Sequence, residues 1–397
     1  MKKITLCILL IITTLLTLSL SRCSDKNNQT IDVIQQKLDN MTLDEKIGQM
    51  ITIGIDGYSV DDTAKQLITD KKVGGVILFK NNISYSNQLL QLINDIKGIN
   101  STNKIPIFIS VDQEGGRVNR LPSEIKSLPS NEVVGNKNDN KLAYDIGKNI
   151  GYALGSFGFN MDFAPVLDVN SNPNNTVIGD RSFSNDKNKV ASLGASEING
   201  FKDSNIISVA KHFPGHGDTA TDSHYALPII NKTLDELKSV EFVPFKKAIE
   251  EKVPAIMVSH ILMPQIDSDN SASMSKTIIT DILRKDLKFD GLIVTDDMTM
   301  VAITNNFDIS EACIKSINAG ADLLLICHGY ETEVDVINNI KDAVDKGIIS
   351  IDRINESVYR ILSLKYSYKI NNEKIENIDV DIINSKIEDI LNRLNKN

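Results

Sequence analysis

Eight short apolar runs recur along this chain of 397 residues, at 50–55, 75–79, 107–111, 161–166, 207–210, 255–259, 292–295 and 323–326, and segments of helical period lie between most of them. Strands that are apolar throughout are buried on both faces, and an intervening helix is what a parallel sheet needs to bring the chain back to the same edge. Eight such units predict an α/β fold, a (β/α)8 TIM barrel forming a single catalytic domain over 31–370, with a doubly wound open sheet as the alternative. Polar residues follow nearly every run: Asp112, Asp168, Lys211 with His212, His260, Asp296 with Asp297, and Cys327 with His328. A barrel gathers all of these ends at one mouth, whereas an open sheet gathers only those at its switch point, so the barrel uses them better. Helices at 331–346 and 351–365 should close the ring, leaving 371–397 as a partly helical tail.

Outside the barrel, Met1-Lys2-Lys3, the apolar stretch 4–20 and Leu20-Ser21-Arg22-Cys23 read as an export signal over 1–22. The last four residues resemble a bacterial lipobox, which predicts lipid on Cys23, a tether over 23–30 and attachment to the cell membrane. Arg22 departs from that pattern, where a small residue belongs, so a secreted protein is the alternative. With Cys7 in the signal, Cys313 and Cys327 remain, and both are expected as free, buried thiols. The net charge of -9 and the lack of a basic stripe argue against a nucleic-acid partner. Tryptophan is absent, which removes the usual stacking platform for long glycans, so any sugar site should be short.

Three of the five histidines fall within 211–228: His212, His216 and His224, interleaved with Asp218 and Asp222. Read as a loop leaving a strand, they fit no metal pattern, because Pro214 and Gly215 break any helix that would align His212 with His216. In Asp222-Ser223-His224 a carboxylate can fold back on an imidazole, fix its tautomer and support its cation, leaving the other nitrogen to give or take a proton. The plain alternative for each histidine is a hydrogen-bonded structural role. Of Asp296 and Asp297, at most one can point into the mouth; one is a candidate nucleophile, and a helix-capping pair is the alternative. Asp112, Glu114, Gly115, Gly116 and Arg117 suit a site for adjacent hydroxyls, or else a turn with a local Glu114–Arg117 ion pair. Arg181 is a further loop arginine, whose alternative is a surface pair with Asp180 or Asp186.

The run Lys-His-Phe-Pro-Gly-His-Gly-Asp-Thr at 211–219, with Asp-Ser-His and Leu-Pro after it, Asp-Gln-Glu-Gly-Gly-Arg-Val at 112–118, Thr-Asp-Asp-Met at 295–298 and the opening at 41–50, resembles the β-N-acetylhexosaminidases of glycoside hydrolase family 3. The likeness runs in order from about residue 31 to 365. It implies a retaining exo-glycosidase that removes terminal β-linked N-acetylglucosamine, as a monomer and without metal or organic cofactor. By matching motifs, Asp296 would be the nucleophile and His224, assisted by Asp222, the acid/base. Asp112, Arg120, Arg181, Lys211 and His212 would hold the sugar's hydroxyls, with His216 and Asp218 shaping the loop. The choice of Asp296 over Asp297 comes from the resemblance alone. Many family members take their acid/base carboxylate from a second α/β domain; at this length the donor is expected in the barrel's own loop, as in the single-domain branch. The expected amino-sugar glycan is a peptidoglycan fragment. An N-acetylglucosaminide phosphorylase, a β-glucosidase and an inactive lipid-anchored glycan-binding protein are the alternatives.

Overall fold

The computed structural model describes residues 33–219 and 227–395, so Cys23, Asp222 and His224 lie outside the described residues. The chain divides after Thr42 into two units. The first shows a short helix at 33–39, and the second carries everything that follows.

Each apolar run supplies one strand: β1 (Ile51–Ile53), β2 (Gly75–Leu78), β3 (Phe108–Val111), β4 (Met161–Asp162), β5 (Ile207–Phe213), β6 (Ala255–Val258), β7 (Leu292–Asp297) and β8 (Leu323–Ile326). They close in the order β1-β8-β7-β6-β5-β4-β3-β2. The open sheet is excluded because β1 pairs in parallel with both β2 and β8, Ile51 standing opposite Leu324 and Thr52 opposite Gly75. Strands β2, β3, β6 and β8 are buried along their whole length, as strands between a filled barrel interior and a coat of helices must be.

Three departures from the sequence expectation go beyond one or two residues at a strand end. Strand β4 stops after Asp162, since Pro165 has no N–H to carry the ladder on. Pairing resumes where Val166 bridges Lys211. Strand β5 therefore runs on to Phe213, past the apolar run that ends at Ala210, and Lys211 and His212 stand at its end as expected. The segment of helical period at 234–251 forms two helices, Leu234–Ser239 and Phe242–Glu250. Pro244 would clash with the carbonyl four residues back in a continuous helix, and the break places it in a first turn, where proline is tolerated.

At the N-terminal end of the barrel the buried Asp322, just before β8, receives Arg353 at 2.8 Å, Arg360 at 3.3 Å and Arg284. It also accepts the Ile293 N–H. This end is tied up in structural ion pairs. Beyond the ring, Ile375 exchanges two hydrogen bonds with the Asn94 side chain, and helix Val380–Asn395 lies on helix Asn140–Phe157, with Arg393 paired to Asp145. Cys313 and Cys327 are free and buried as expected, and burial pushes both thiols up.

Helix Lys187–Asp203 packs on Asn140–Phe157 so closely that a Cβ at Gly147 would sit 2.3 Å from the Glu197 carbonyl oxygen. The contact buries Glu197 with neither carboxylate oxygen hydrogen-bonded. Burial, with the charge of Glu114 adding to it, pushes the carboxyl from 4.5 up to about 8. Between those values the folded protein holds a proton that the unfolded chain releases. The stability contribution is therefore fully present below about pH 4.5 and is lost as pH rises toward about 8, by up to ~5 kcal/mol. Glu333, pushed up to about 8 chiefly by burial, adds a slope of the same sign. Glu197→Gln is expected to flatten part of this decline, read as a higher urea midpoint at about pH 8 and a smaller change at about pH 5. An unchanged slope would exclude Glu197 as its source.

Candidate active site

The C-terminal ends of the strands surround a cavity of about 640 Å³. Its walls include Asp112 beyond β3, Lys211 and His212 on β5, Asp296 and Asp297 on β7, and Cys327 and His328 beyond β8. Loops add Arg120, Arg181 and His216.

Lys211 is buried between two carboxylates, 2.6 Å from Asp112 and 2.7 Å from Glu114. Arg181 grips Glu114 with two bonds, Nε to Oε2 at 2.8 Å and a terminal nitrogen to Oε1 at 2.7 Å. Burial alone would raise the Glu114 carboxyl, but Arg181 and Lys211 outweigh it and hold the group well below the usual carboxylate range. Burial likewise opposes the charge on Lys211, and Asp112 and Glu114 overcome it. The arginines have exchanged the partners that local spacing suggested. Arg117 pairs with Asp180 at 2.8 Å and donates to the carbonyls of Thr176, Val177 and Ile178, while Arg181 reaches the interior. Gly115 and Gly116, at φ 89° and 54°, bring this about by turning the chain sharply between Glu114 and Arg117. A Cβ on Gly115 would stand 2.5 Å from the Pro129 carbonyl.

Glu114, expected either in a hydroxyl-binding set or in a local ion pair, instead holds Arg181 and Lys211 in the cavity wall. Glu114→Gln should leave Arg181 and Lys211 facing one carboxylate instead of two. A loss of ~3–5 kcal/mol in urea unfolding is expected, as for breaking a buried ion pair from one side. A midpoint within error of the wild type would show that water reaches the cluster.

Asp168 organises the two described histidines of the cluster. It accepts the His212 Nδ1–H at 2.6 Å and the His216 backbone N–H at 2.6 Å. With Nδ1 so used, His212 turns Nε2 toward the Arg181 guanidinium at 3.5 Å. Burial opposes the charge on Asp168, yet His212 and His216 keep its carboxyl below the ordinary value. His216 does fix the loop, its carbonyl accepting from Asn175 at 2.8 Å, but its ring also lines the cavity. Asp218 meets Lys232 at 3.2 Å, and Lys232 meets the buried Glu241 at 2.6 Å, outside the cavity lining.

The adjacent carboxylates on β7 do different work. Asp297 accepts the Thr299 N–H at 2.9 Å, the Thr299 hydroxyl at 2.7 Å and the Cys327 N–H at 3.1 Å, and its carbonyl accepts from His260 Nε2 at 2.9 Å. It is a turn-fixing group. Among the described residues, the carboxylate of Asp296 receives one hydrogen bond, from the Asp297 N–H at 2.9 Å. Burial would raise Asp296, but the charges of His260, His212 and Lys211 and that N–H hold it below the ordinary value, an ionised carboxylate facing the cavity. Arg120 lines the same cavity, its backbone N–H held by Gln113 at 2.8 Å. The structure thus brings Asp112, Arg120, Arg181, Lys211, His212 and Asp296 together. Asp222 and His224 are the two candidates it does not describe. Among the described residues no group of three or more His, Cys, Asp or Glu could hold a metal ion.

A family model described as "Glycosyl hydrolase family 3 N terminal domain" matches residues 42–364. Over 324 residues the chain is 35% identical to a beta-hexosaminidase A of Pseudoalteromonas piscicida, covering 76% of this chain and 54% of that protein, so it spans about half the length of that relative. It is 34% identical to a beta-hexosaminidase of Idiomarina loihiensis, covering 72% of this chain and 86% of the other. Among solved structures it is similar to a glycoside hydrolase family 3 beta-N-acetylglucosaminidase from Paenibacillus sp. str. FPU-7, with a TM-score of 0.85 and 37% identity over 88% of this chain and 68% of that one.

Proposed function

Because this chain belongs to glycosyl hydrolase family 3, we propose that its barrel mouth hydrolyses terminal, non-reducing β-linked N-acetylglucosamine with retention of configuration. The observation that carries the reading is Asp296, an ionised carboxylate facing a cavity that is also lined by Asp112, Lys211, Arg181 and His212. That set suits the hydroxyls of one sugar ring, since charge-assisted bonds fix orientation strongly. The names of the relatives support the amino sugar.

Asp296 attacks the anomeric carbon as the bond to the aglycone oxygen breaks, and that oxygen takes its proton from His224, whose cation Asp222 supports. The glycosyl ester on Asp296 is then cleaved by a water that gives its proton back to His224. The sugar leaves with the water's hydroxyl on its anomeric carbon, Asp296 is again a carboxylate and His224 is again protonated. A preorganised negative charge beside the anomeric carbon stabilises the cationic character of both transition states.

Turnover of an aryl N-acetyl-β-glucosaminide in Tris and in phosphate tests the reading, with free N-acetylglucosamine expected in both. A sugar 1-phosphate in phosphate buffer would make the protein a phosphorylase, and binding without release of the aryl group would make it a glycan-binding protein. The sequence at 1–23 supports export and a lipid on Cys23, and an exported enzyme would meet peptidoglycan fragments, its inferred substrate. Mass spectrometry of the membrane-bound protein should find acylated Cys23, and unmodified protein in the medium would return the secreted alternative.

A further inference from the structure

Between Asp112 and Glu114, which both bind Lys211, stands Gln113, 3% exposed and turned to other partners. Its Oε1 accepts the backbone N–H of Arg120 at 2.8 Å and that of Leu121 at 3.2 Å, and its Nε2 donates to the Asn119 side chain at 2.9 Å. A backbone N–H can only donate, so these two settle which end of the amide is the oxygen. One buried side chain therefore holds three successive residues of the loop that returns to the cavity. Gln113 is itself tied to the barrel, since its own N–H donates at 2.9 Å to the buried Asp162 at the end of β4.

What this clamp carries into the cavity is Arg120. Its side chain lines the cavity, yet the bonds it makes among the described residues are both main-chain: the N–H to Gln113, and the carbonyl, which accepts from Lys80 at 3.4 Å. Arg181 differs, because Glu114 grips its guanidinium directly with two bonds. The guanidinium of Arg120 is placed through its backbone, and a long side chain follows its Cα, so a loosened main chain at 120 displaces a charge in the cavity. We propose that Gln113 is a positioning residue of the reaction, holding the loop at 119–121 so that Arg120 presents its guanidinium to the bound sugar, an inference that rests on the barrel mouth being the sugar site. Such an effect is large because a binding group displaced by about 1 Å loses much of what it contributes to the transition state.

The test is a double-mutant cycle on 4-nitrophenyl N-acetyl-β-glucosaminide with Gln113→Leu, Arg120→Ala and the pair. Gln113→Leu keeps the bulk and removes the acceptor; it should lose about 10- to 100-fold in kcat/KM and divide that loss between kcat and KM as Arg120→Ala does. In the Arg120→Ala background the leucine should cost less than about threefold, because the group it displaces is already gone. Gln113→Glu, which keeps an oxygen for both N–H groups, should recover most of the loss. Losses that multiply in the double variant would reduce Gln113 to a structural role and overturn the proposal, as would a leucine variant that matches the wild type or a glutamate variant no better than the leucine. If leucine at 113 prevents folding, Gln113→Asn, whose amide is too short to reach the N–H groups, takes its place in the cycle with the same outcomes. Wild-type turnover of the substrate tests the function of the mouth by itself, and the coupling between 113 and 120 tests Gln113.

Discussion

Asp296→Asn should lower kcat on an aryl N-acetyl-β-glucosaminide by ~10⁴-fold or more, with thermal unfolding close to that of the wild type. The neutral amide keeps the shape and the bond from the Asp297 N–H in kind, but it cannot form the glycosyl ester. Asp297→Asn should behave in the opposite way. Its carboxylate accepts from Thr299 twice and from Cys327 once, and an amide can replace only part of that acceptance. A loss of ~1–3 kcal/mol of stability is expected there, with activity falling because β7 and the following turn lose their shape. A fluorinated N-acetylglucosaminide that slows the second step should leave its sugar on the peptide containing Asp296. Label on Asp297, or on neither carboxylate, would sink the assignment.

The contrast between these neighbours shows where the sequence stops being legible. Their position at the end of a buried strand was plain from the apolar run before them, because burial on both faces of β7 leaves a strong signal. Which carboxylate is free was not, since that depends on the N–H of Cys327, just beyond β8, and on the turn at Thr299. The same limit explains the arginines. Spacing pairs Glu114 with Arg117, but the observed partner of Glu114 is Arg181, 67 residues away, and nothing local encodes that contact. Asp168 was visible only as one of several polar strand ends, and its joint hold on His212 and His216 appears once β4 and β5 lie side by side. Strand ends erred for a simpler reason: the sheet continues as long as its neighbour pairs with it, and Val166 carries β5 past the end of its apolar run.

The acid remains, and the described groups in and beside the cavity narrow where it can come from. Asp112 is bound to Lys211, and Glu114 is held ionised by Arg181 and Lys211. His212 has Nδ1 on Asp168 and Nε2 toward the Arg181 guanidinium, so both ring nitrogens are turned to protein groups. His216 is pushed down to about 4 and carries no acidic proton at neutral pH. His260 spends both nitrogens, on Ser273 and on the Asp297 carbonyl. His328 is the rival among the described residues: 61% exposed at the rim, stacked on Phe79 and 3.9 Å from Asp297. If His224 is the donor, His224→Ala should lower kcat by ~10³-fold on a disaccharide, whose leaving oxygen needs the proton, and by much less on a 4-nitrophenyl glycoside, whose leaving group does not. The same variant should lose the basic limb of the pH–rate profile, and added azide should restore turnover by giving the β-glycosyl azide. His328→Ala should keep both the limb and the disaccharide activity within a few-fold. Should the limb vanish with His328→Ala and survive His224→Ala, the proton comes from the rim, and the loop at 211–228 serves only to hold the sugar.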